Sequence, residues 1–249
     1  IASVASYMGI EHNYRMILVS TNFNDVSLEN CFWDVDKVNQ AVQKITDRTQ
    51  SLGIESGIEG LVKISQSNKT TPDIISNYTR IILKNRLDVL PSPKTKIYEE
   101  YKQIAESYPD ILTVANRAYD MVFVDVSKRM DDAQARKILD MADVVVLNIT
   151  QRLSTINRLM ELRQNDEFYK QKKIMIAIGR YDSFSKYSNK NITRYMKEKR
   201  MLSVVPYNTL LFEACSEGKI IDFFLNIRNL DETDRNSIYR NEVKKFVSN

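Results

Sequence analysis

The sequence is poor in the residues on which many catalytic and structural sites depend. It has one histidine, His12, and two cysteines, Cys31 and Cys215, which form no CxxC motif and have no histidine nearby in the sequence. A Ser-His-Asp or Cys-His triad would have to rely on His12, which lies in a polar His-Asn turn. Neither a disulfide framework nor a structural zinc site has a basis here, so we expect the two cysteines to be isolated reduced thiols.

Long apolar runs and a strong charge of one sign are also lacking. The longest apolar runs, such as Ala142–Leu147 and Met175–Ile178, are far shorter than the roughly 20 residues of a membrane-spanning helix. The 36 Lys and Arg residues exceed the 32 Asp and Glu residues by only four, and the two signs are interspersed. These patterns argue against a transmembrane protein and against nucleic acid as a partner.

Short aliphatic runs recur between longer helical patterns along the 249 residues. This alternation is typical of a mostly parallel sheet wrapped by crossover helices. Most of the runs are continuous rather than alternating, which predicts strands buried on both faces. We predict six strands: Arg15–Ser20, Arg86–Leu90, Met121–Asp125, Val144–Ile149, Lys173–Gly179 and Met201–Pro206.

Helical spacing and capping residues fill most of the segments between these strands. Residues 1–8 already have helical character without a preceding cap, so we expect the chain to begin inside a helix. Residues 51–77 read as short helices on a connecting arm, and the chain is helical after Gly218 with one pause near Asp231. The sequence therefore predicts one α/β domain over 1–249, a three-layer doubly wound fold. The predicted helices between strands are Asp36–Thr49, Pro93–Ala118, Asp131–Met141, Leu153–Gln164, Asn191–Lys199 and Tyr207–Ser216.

Several segments resemble motifs of one family and occur in the same order. Residues 119–125 (YDMVFVD) followed by 142–147 (ADVVVL) resemble the Walker B strand, switch segment and next strand of MinD/ParA-type P-loop ATPases of the SIMIBI class. Residues 179–182 (GRYD) and 203–207 (SVVPY) resemble the stretches at that family's adenine site, and 54–61 and 87–91 resemble its linker helices and the strand beyond. Within the family, the nearest resemblance is to the CpaE/TadZ branch, whose members help to place pilus and secretion machinery.

The resemblance implies a site for ATP and Mg²⁺ and indicates which residues would form it. Asp125, at the end of a strand, would hold Mg²⁺ through water, although an Asp after a strand also commonly caps a turn. Ser20 and Asn22 stand where the family usually has two Asp residues. Asn22 would orient the attacking water but could not accept its proton, so hydrolysis would be slow or absent. The family's glycine-rich phosphate-binding loop is not present in 1–249, and we expect it, after an N-terminal strand, just upstream of Ile1, with a further upstream domain left open.

The base side of the predicted site is less typical of the family. Gly179 stands in place of an Asn that contacts adenine, whereas Arg180 would stack on the base, and Pro206 and Tyr207 would line it. Pro206 also has a purely structural explanation, because Pro commonly ends a buried strand and precedes a helix. We expect loose base selectivity.

These implications predict a cytoplasmic homodimeric switch that binds ATP and positions a cellular assembly at a cell pole or the inner membrane face. The alternatives are a scaffold of the same fold that does not respond to nucleotide, and a DNA-partitioning ATPase, which the small net charge does not favour. Apolar residues near the C-terminus, Tyr239, Val243, Phe246 and Val247, have helical spacing with basic neighbours. That pattern is compatible with membrane-surface binding, but a helix packed on its own sheet is the commoner outcome.

Overall fold

The computed structural model of the chain describes residues 1–35, 37, 57–66, 72–199 and 201–249. Two compact units can be distinguished from the packing of the backbone. The first comprises Ile1–Met141 with Leu211–Leu225, and the second comprises Ala142–Leu210 with Asn226–Asn249. Each unit contains its own hydrogen-bonded sheet.

The sheet of the first unit has four strands in the order β2-β3-β1-β4. Both neighbours of β1 run parallel to it, and β2 pairs antiparallel at the edge. Every residue of β1 and β3 is buried, as their continuous aliphatic sequences predict. The bounds are β1 Met16–Ser20, β2 Arg80–Leu83, β3 Leu87–Leu90 and β4 Met121–Asp125.

Helices and loops complete the core of this unit. The apolar faces of α3 and α4 contribute Tyr101, Ile104, Tyr108 and Ile111 to a cluster that also includes Ile17 and Val19 of β1. The helices and helical segments of the unit are α1 Ala2–Glu11, α2 Ile58–Gln66, α3 Tyr98–Glu106, α4 Tyr108–Ala118, α5 Asp132–Met141 and α10 Ile220–Asn226, with 3-10 turns at Glu29–Cys31 and Pro72–Asn77.

The sheet of the second unit has three parallel strands in the order β5-β6-β7. Its core is built around Ile149, Ile156, Ile176 and Ile178. The bounds are β5 Val145–Ile149, β6 Ile174–Tyr181, β7 Ser203–Pro206, α6 Leu153–Asn165, α7 Glu167–Gln171, α8 Asn189–Tyr195 and α11 Arg235–Ser248, while α9 Thr209–Ser216 begins in this unit and ends in the first.

Side-chain caps start three helices of the second unit. Asp166 accepts a hydrogen bond from the Phe168 amide at 3.0 Å and Asp234 accepts one from the Asn236 amide at 2.7 Å. Ser188 accepts a hydrogen bond from the Asn191 amide at the start of α8. Each cap satisfies an amide that has no partner within its own helix.

The α/β fold class with mostly parallel strands is confirmed, and all six predicted strands are present. Two details of the prediction differ from the structure. The predicted helix 93–118 is two helices that meet at Ser107, because Pro109 begins α4. The edge strand β2 lies between the predicted connecting arm, 51–77, and the strand predicted at Arg86–Leu90, where we assigned no element. Apart from residue 37, the predicted helix 36–49 lies outside the described residues.

The C-terminal helix α11 packs on β7, so its apolar face is used within the second unit. Tyr239 and Val243 are each 1% exposed. Phe246 and Val247 are half-buried. None of the helices in the described parts of the chain combines the length and apolar composition that a membrane span requires.

Candidate functional site

The carboxyl ends of β1 and β4 lie side by side and bring together the predicted phosphate-side residues. Ser20 pairs with Asp125 in the parallel register, and the Thr21 amide donates to the Asp125 carbonyl at 3.1 Å. The side-chain nitrogen Nδ2 of Asn22 donates to Asp125 Oδ2 at 2.8 Å and lies 3.4 Å from Ser20 Oγ. Asn22 and Asp125 are predicted site residues, and each lies at or just after the end of a predicted strand. They are far apart in the sequence but are direct neighbours in the structure.

Two tyrosine hydroxyls hydrogen bond to the backbone at this edge of the sheet. Tyr101 donates to the Thr21 carbonyl at 2.8 Å, and Tyr108 donates to the Ser20 carbonyl at 2.9 Å. Both rings are fully buried, and burial raises the pKa of each phenol. The hydroxyls consequently stay protonated and act as donors, which fixes the backbone that carries Asn22.

The segment that follows Asp125 is held by the same edge. Thr21 Oγ1 donates to the Asp125 carbonyl at 2.9 Å and accepts from the Ser127 amide at 2.8 Å. Further along, the Tyr98 hydroxyl donates to the Arg129 carbonyl at 3.0 Å, and Met130 is buried in the core. The turn after β4 is thus tied to both β1 and α3, whereas Lys128 is exposed.

Whether Asp125 suits Mg²⁺ can be judged from its surroundings. Its carboxylate is half-buried at a strand end, and within the described ranges only Oδ2 has a hydrogen-bond partner. No group of three or more His, Cys, Asp or Glu side chains in those ranges could hold a metal ion. A single carboxylate is too few ligands for a site built from protein groups alone. It is enough for a Mg²⁺ ion that keeps several waters and takes its other ligands from phosphates.

Two cysteines meet in the region that follows β1, and no pattern in the sequence predicts this contact. Cys31 lies in the 3-10 turn after β1, Cys215 is in α9, and the two thiols are close enough that each shifts the pKa of the other. Both cysteines are free thiols, but they are neighbours in the structure, which their spacing along the chain does not reveal.

The predicted base-side residues occupy the carboxyl end of the sheet in the second unit. Arg180 is exposed at an irregularity in the β6–β7 pairing and has a left-handed backbone with φ of 51°. Tyr181 pairs with Pro206, and the Tyr207 amide donates to the Tyr181 carbonyl at 3.3 Å. Arg180, Pro206 and Tyr207 are therefore close neighbours, and the Tyr207 ring is 55% exposed.

Gly179 has no side chain, but the side-chain amide of Asn148 lies beside it. A Cβ at Gly179 would lie 2.7 Å from Asn148 Oδ1, so the amide of Asn148, from the neighbouring strand β5, occupies the space that a side chain at 179 would take. Asn148 is exposed. No sequence pattern singled out Asn148, because its place beside position 179 follows from the pairing of β5 with β6.

Comparisons with solved structures give consistent matches over the whole chain. A ParA family ATPase from Chlorobium tepidum TLS has a TM-score of 0.70 at 15% identity, covering 98% of this chain and 91% of that one. MinD complexed with Mg-ADP from Pyrococcus horikoshii OT3 has 0.64 at 10% identity, covering 98% and 88%. The MinC:MinD complex of Aquifex aeolicus has 0.61 at 13% identity, covering 100% and 90%.

No protein-family model matches the sequence, and no curated protein does either. The structural matches have low sequence identity, so they establish the architecture rather than the activity. With mostly parallel sheets, intervening helices and near-complete coverage of the matched chains, the chain has the α/β fold of the MinD/ParA-type P-loop ATPases.

Proposed function

We propose that this chain is the nucleotide-binding domain of an ATP-dependent switch that forms homodimers and positions a larger cellular assembly. The observation that carries the proposal is the Asp125 carboxylate at the carboxyl end of β4, hydrogen bonded at 2.8 Å to Asn22, which follows the neighbouring strand β1. In open α/β sheets, ligands bind at the carboxyl ends of parallel strands. A structural match that contains Mg-ADP supports the same ligand class.

Asp125 and Asn22 have separate roles in this proposal. Asp125 would hold a water ligand of Mg²⁺ through its carboxylate, and the ion, when bound, supplies charge neutralisation for the phosphates. Asn22 donates its Nδ2 to Asp125, which leaves Oδ1 to accept a hydrogen bond from water. An amide cannot take a proton from that water, so we expect binding without rapid hydrolysis.

On the base side, Arg180, Pro206 and Tyr207 would bind the nucleoside. The exposed guanidinium of Arg180 would stack on the base, and the backbone next to Pro206 would hydrogen bond to its edge. Tyr207 adds an exposed aromatic ring. None of these contacts distinguishes adenine sharply from other bases, so nucleotide competition should show modest selectivity.

The test is calorimetric titration of the full-length protein with ATP and with ADP, with Mg²⁺ and again with EDTA. Asp125→Asn should weaken binding of Mg·ATP by roughly tenfold or more, which is about 1.4 kcal/mol. In EDTA the same variant should bind ATP as well as the unmodified protein or better, because a negative charge near the phosphates is removed. Asp143→Asn, an exposed carboxylate between α5 and β5, is the control for charge and should have no effect.

A second candidate function is a scaffold of the same fold that binds partners without responding to nucleotide. It is favoured by the turn after β4, which is already fixed by Thr21, Tyr98 and the buried Met130. A switch needs a segment with two states of similar free energy. If neither nucleotide binds with Mg²⁺ or in EDTA, this scaffold function replaces the switch.

The narrower form of the proposal is that the assembly is a Tad-type pilus or secretion system, with the protein in the cytoplasm at a cell pole or the inner membrane face. This form rests on the resemblance to the CpaE/TadZ branch alone. A fluorescent fusion of the full-length protein should form polar foci that depend on the pilus proteins. Diffuse fluorescence, or foci that persist without those proteins, would rule out this form.

A further inference from the structure

The strongest feature outside the proposed nucleotide site is the contact between two segments of the first unit. Residues 31–34 begin at the last residue of the 3-10 turn after β1, and residues 215–218 are the last two residues of α9 and the two that follow them. A Cβ added to Gly218 would lie 2.6 Å from both the Cα and the carbonyl carbon of Trp33, so the two backbones are in direct contact. Only glycine allows this approach.

The end of α9 is itself well defined at this contact. Gly218 has a left-handed φ of 72°, and the Lys219 amide donates to the Ala214 carbonyl at 2.8 Å. This is the hydrogen-bond pattern of a helix that ends on a left-handed glycine. The position of Cys215 relative to the 31–34 segment is therefore set by backbone geometry and not by a flexible side chain.

Cys31 and Cys215 meet at this contact. Both are free and only partly buried, and the two thiols are close enough that each shifts the pKa of the other. The Cys31 S–H also faces the Ser27 carbonyl at 3.4 Å. Two thiols that are fixed in contact have little loop-closure entropy left to lose when a bond forms between them.

We propose that Cys31 and Cys215 are a redox-modification site, at which a disulfide oxidant such as oxidised glutathione converts the two thiols into a reversible intramolecular disulfide. The proposal does not depend on nucleotide binding. Its consequence is that the loop after β1, which begins at Asn22, becomes covalently attached to α9. In a reducing compartment, such pairs are transient and redox-sensing rather than structural.

The electrostatics of the pair define the order of the chemical steps. Contact with the Cys31 thiol lowers the pKa of the Cys215 thiol, whereas the same contact and burial raise the pKa of Cys31. The Cys215 thiolate attacks one sulfur of oxidised glutathione and releases one glutathione thiolate. Cys31 then loses its proton, attacks the Cys215 sulfur and releases the second glutathione. Two protein thiols become one disulfide, and one oxidised glutathione becomes two reduced molecules.

The test uses the full-length protein, held folded in buffers of fixed reduced-to-oxidised glutathione ratio, trapped with N-ethylmaleimide and mapped by mass spectrometry. The peptides that contain Cys31 and Cys215 should be joined, with no change in molecular size, and dithiothreitol should separate them. In Cys31→Ser, Cys215 should instead retain a single glutathione adduct. In urea, where the contact is lost, the yield of the joined peptide should fall roughly tenfold or more.

Two results would overturn the proposal. One is that the folded protein carries separate glutathione adducts on both cysteines without a joined peptide. The other is that joined peptides form equally well in urea or only between two chains. Because the main measurement needs no substitution, the proposal can be tested even if Cys31→Ser does not fold.

Discussion

Asn22 Nδ2 lies 2.8 Å from Asp125 Oδ2, so an amide donor contacts a carboxylate at the carboxyl ends of two adjacent parallel strands. In the family that the sequence resembles, acidic residues usually occupy the positions of Ser20 and Asn22. The neutral amide gives the Asp125 carboxylate a hydrogen-bond donor from the protein. A second carboxylate at position 22 would replace that hydrogen bond with repulsion.

The Asn22→Asp variant tests this relationship directly. Two carboxylates at such a distance raise the pKa of one of them, so we expect a loss of stability of roughly 1–2 kcal/mol at pH 7. The penalty is present when both groups are ionised, above the raised pKa, and disappears as pH falls below the ordinary Asp value near 4. Thermal unfolding at pH 7 and pH 4.5 measures it, and the deficit should be smaller at pH 4.5.

Magnesium and a neutral variant provide the controls for that experiment. Mg²⁺ should recover part of the stability of Asn22→Asp, because the ion neutralises the paired charges. Asn22→Ala removes the amide without adding charge and should show little dependence on pH or on Mg²⁺. If Asn22→Asp and Asn22→Ala behave alike in both respects, position 22 does not face the Asp125 carboxylate as described.

Asp88 and Tyr119 form a second pair whose pH dependence can be predicted. The Tyr119 hydroxyl donates to Asp88 Oδ2 at 2.7 Å, and both residues are buried. Burial raises the pKa of Asp88 above its ordinary value of 3.8, opposed by the Tyr119 hydrogen bond and by Arg15. The protonated form thus adds stability that is fully present below pH 3.8 and is lost as pH rises through the raised pKa.

Tyr119→Phe should therefore be more destabilising at neutral pH than in acid. Removing the hydroxyl leaves a buried carboxylate without its donor, at a cost of about 1–3 kcal/mol at pH 7. Urea unfolding at pH 7 and pH 4.5 measures the difference. Asp88→Asn, which keeps an acceptor oxygen without the charge, is the control and should lose less stability at pH 7 than Tyr119→Phe does. An equal loss from Tyr119→Phe at both pH values would mean that the hydroxyl does not stabilise an ionised Asp88.

Arg180 should show opposite effects on stability and on nucleotide binding. Its left-handed backbone, with φ of 51°, is strained for a residue with a side chain, so Arg180→Gly should gain up to about 1 kcal/mol of stability. The same change removes the guanidinium and should weaken ATP binding severalfold. Thermal unfolding and calorimetry measure the two effects separately.

Lys197→Gly is the matched control for Arg180→Gly. Lys197 is exposed and has a similar φ of 57°, but it lies in the turn after α8. It should show the gain in stability without any change in ATP affinity. If both variants leave ATP affinity unchanged, Arg180 does not contact the base.

Much of this fold could be predicted from the sequence because aliphatic runs report burial. The bounds predicted for β4 are those observed, and β1 differs by one residue. The edge strand β2 was missed because it is short, and Ile81 within it is 62% exposed, so no buried run marks it. The break between α3 and α4 was missed because one helical pattern continues through Ser107.

The candidate site was predictable only where strand ends define it. Asp125 and Asn22 each end or follow a parallel strand, so their proximity follows from the direction of the strands. The thiol contact and the Asn148 amide beside Gly179 depend instead on tertiary packing, which spacing along the chain does not reveal. The left-handed conformation of Arg180 likewise depends on an irregularity in strand pairing that leaves no signal in the sequence.

Sedimentation velocity of the full-length protein with Mg·ATP, with Mg·ADP and without nucleotide tests the central claim most directly. A switch must have different affinities for its partner copy in different nucleotide states. We predict a dimer with Mg·ATP, a monomer in the other two conditions, and a monomer throughout for Asp125→Asn. One sedimentation coefficient in all three conditions would contradict the account and leave the scaffold as the function of this fold.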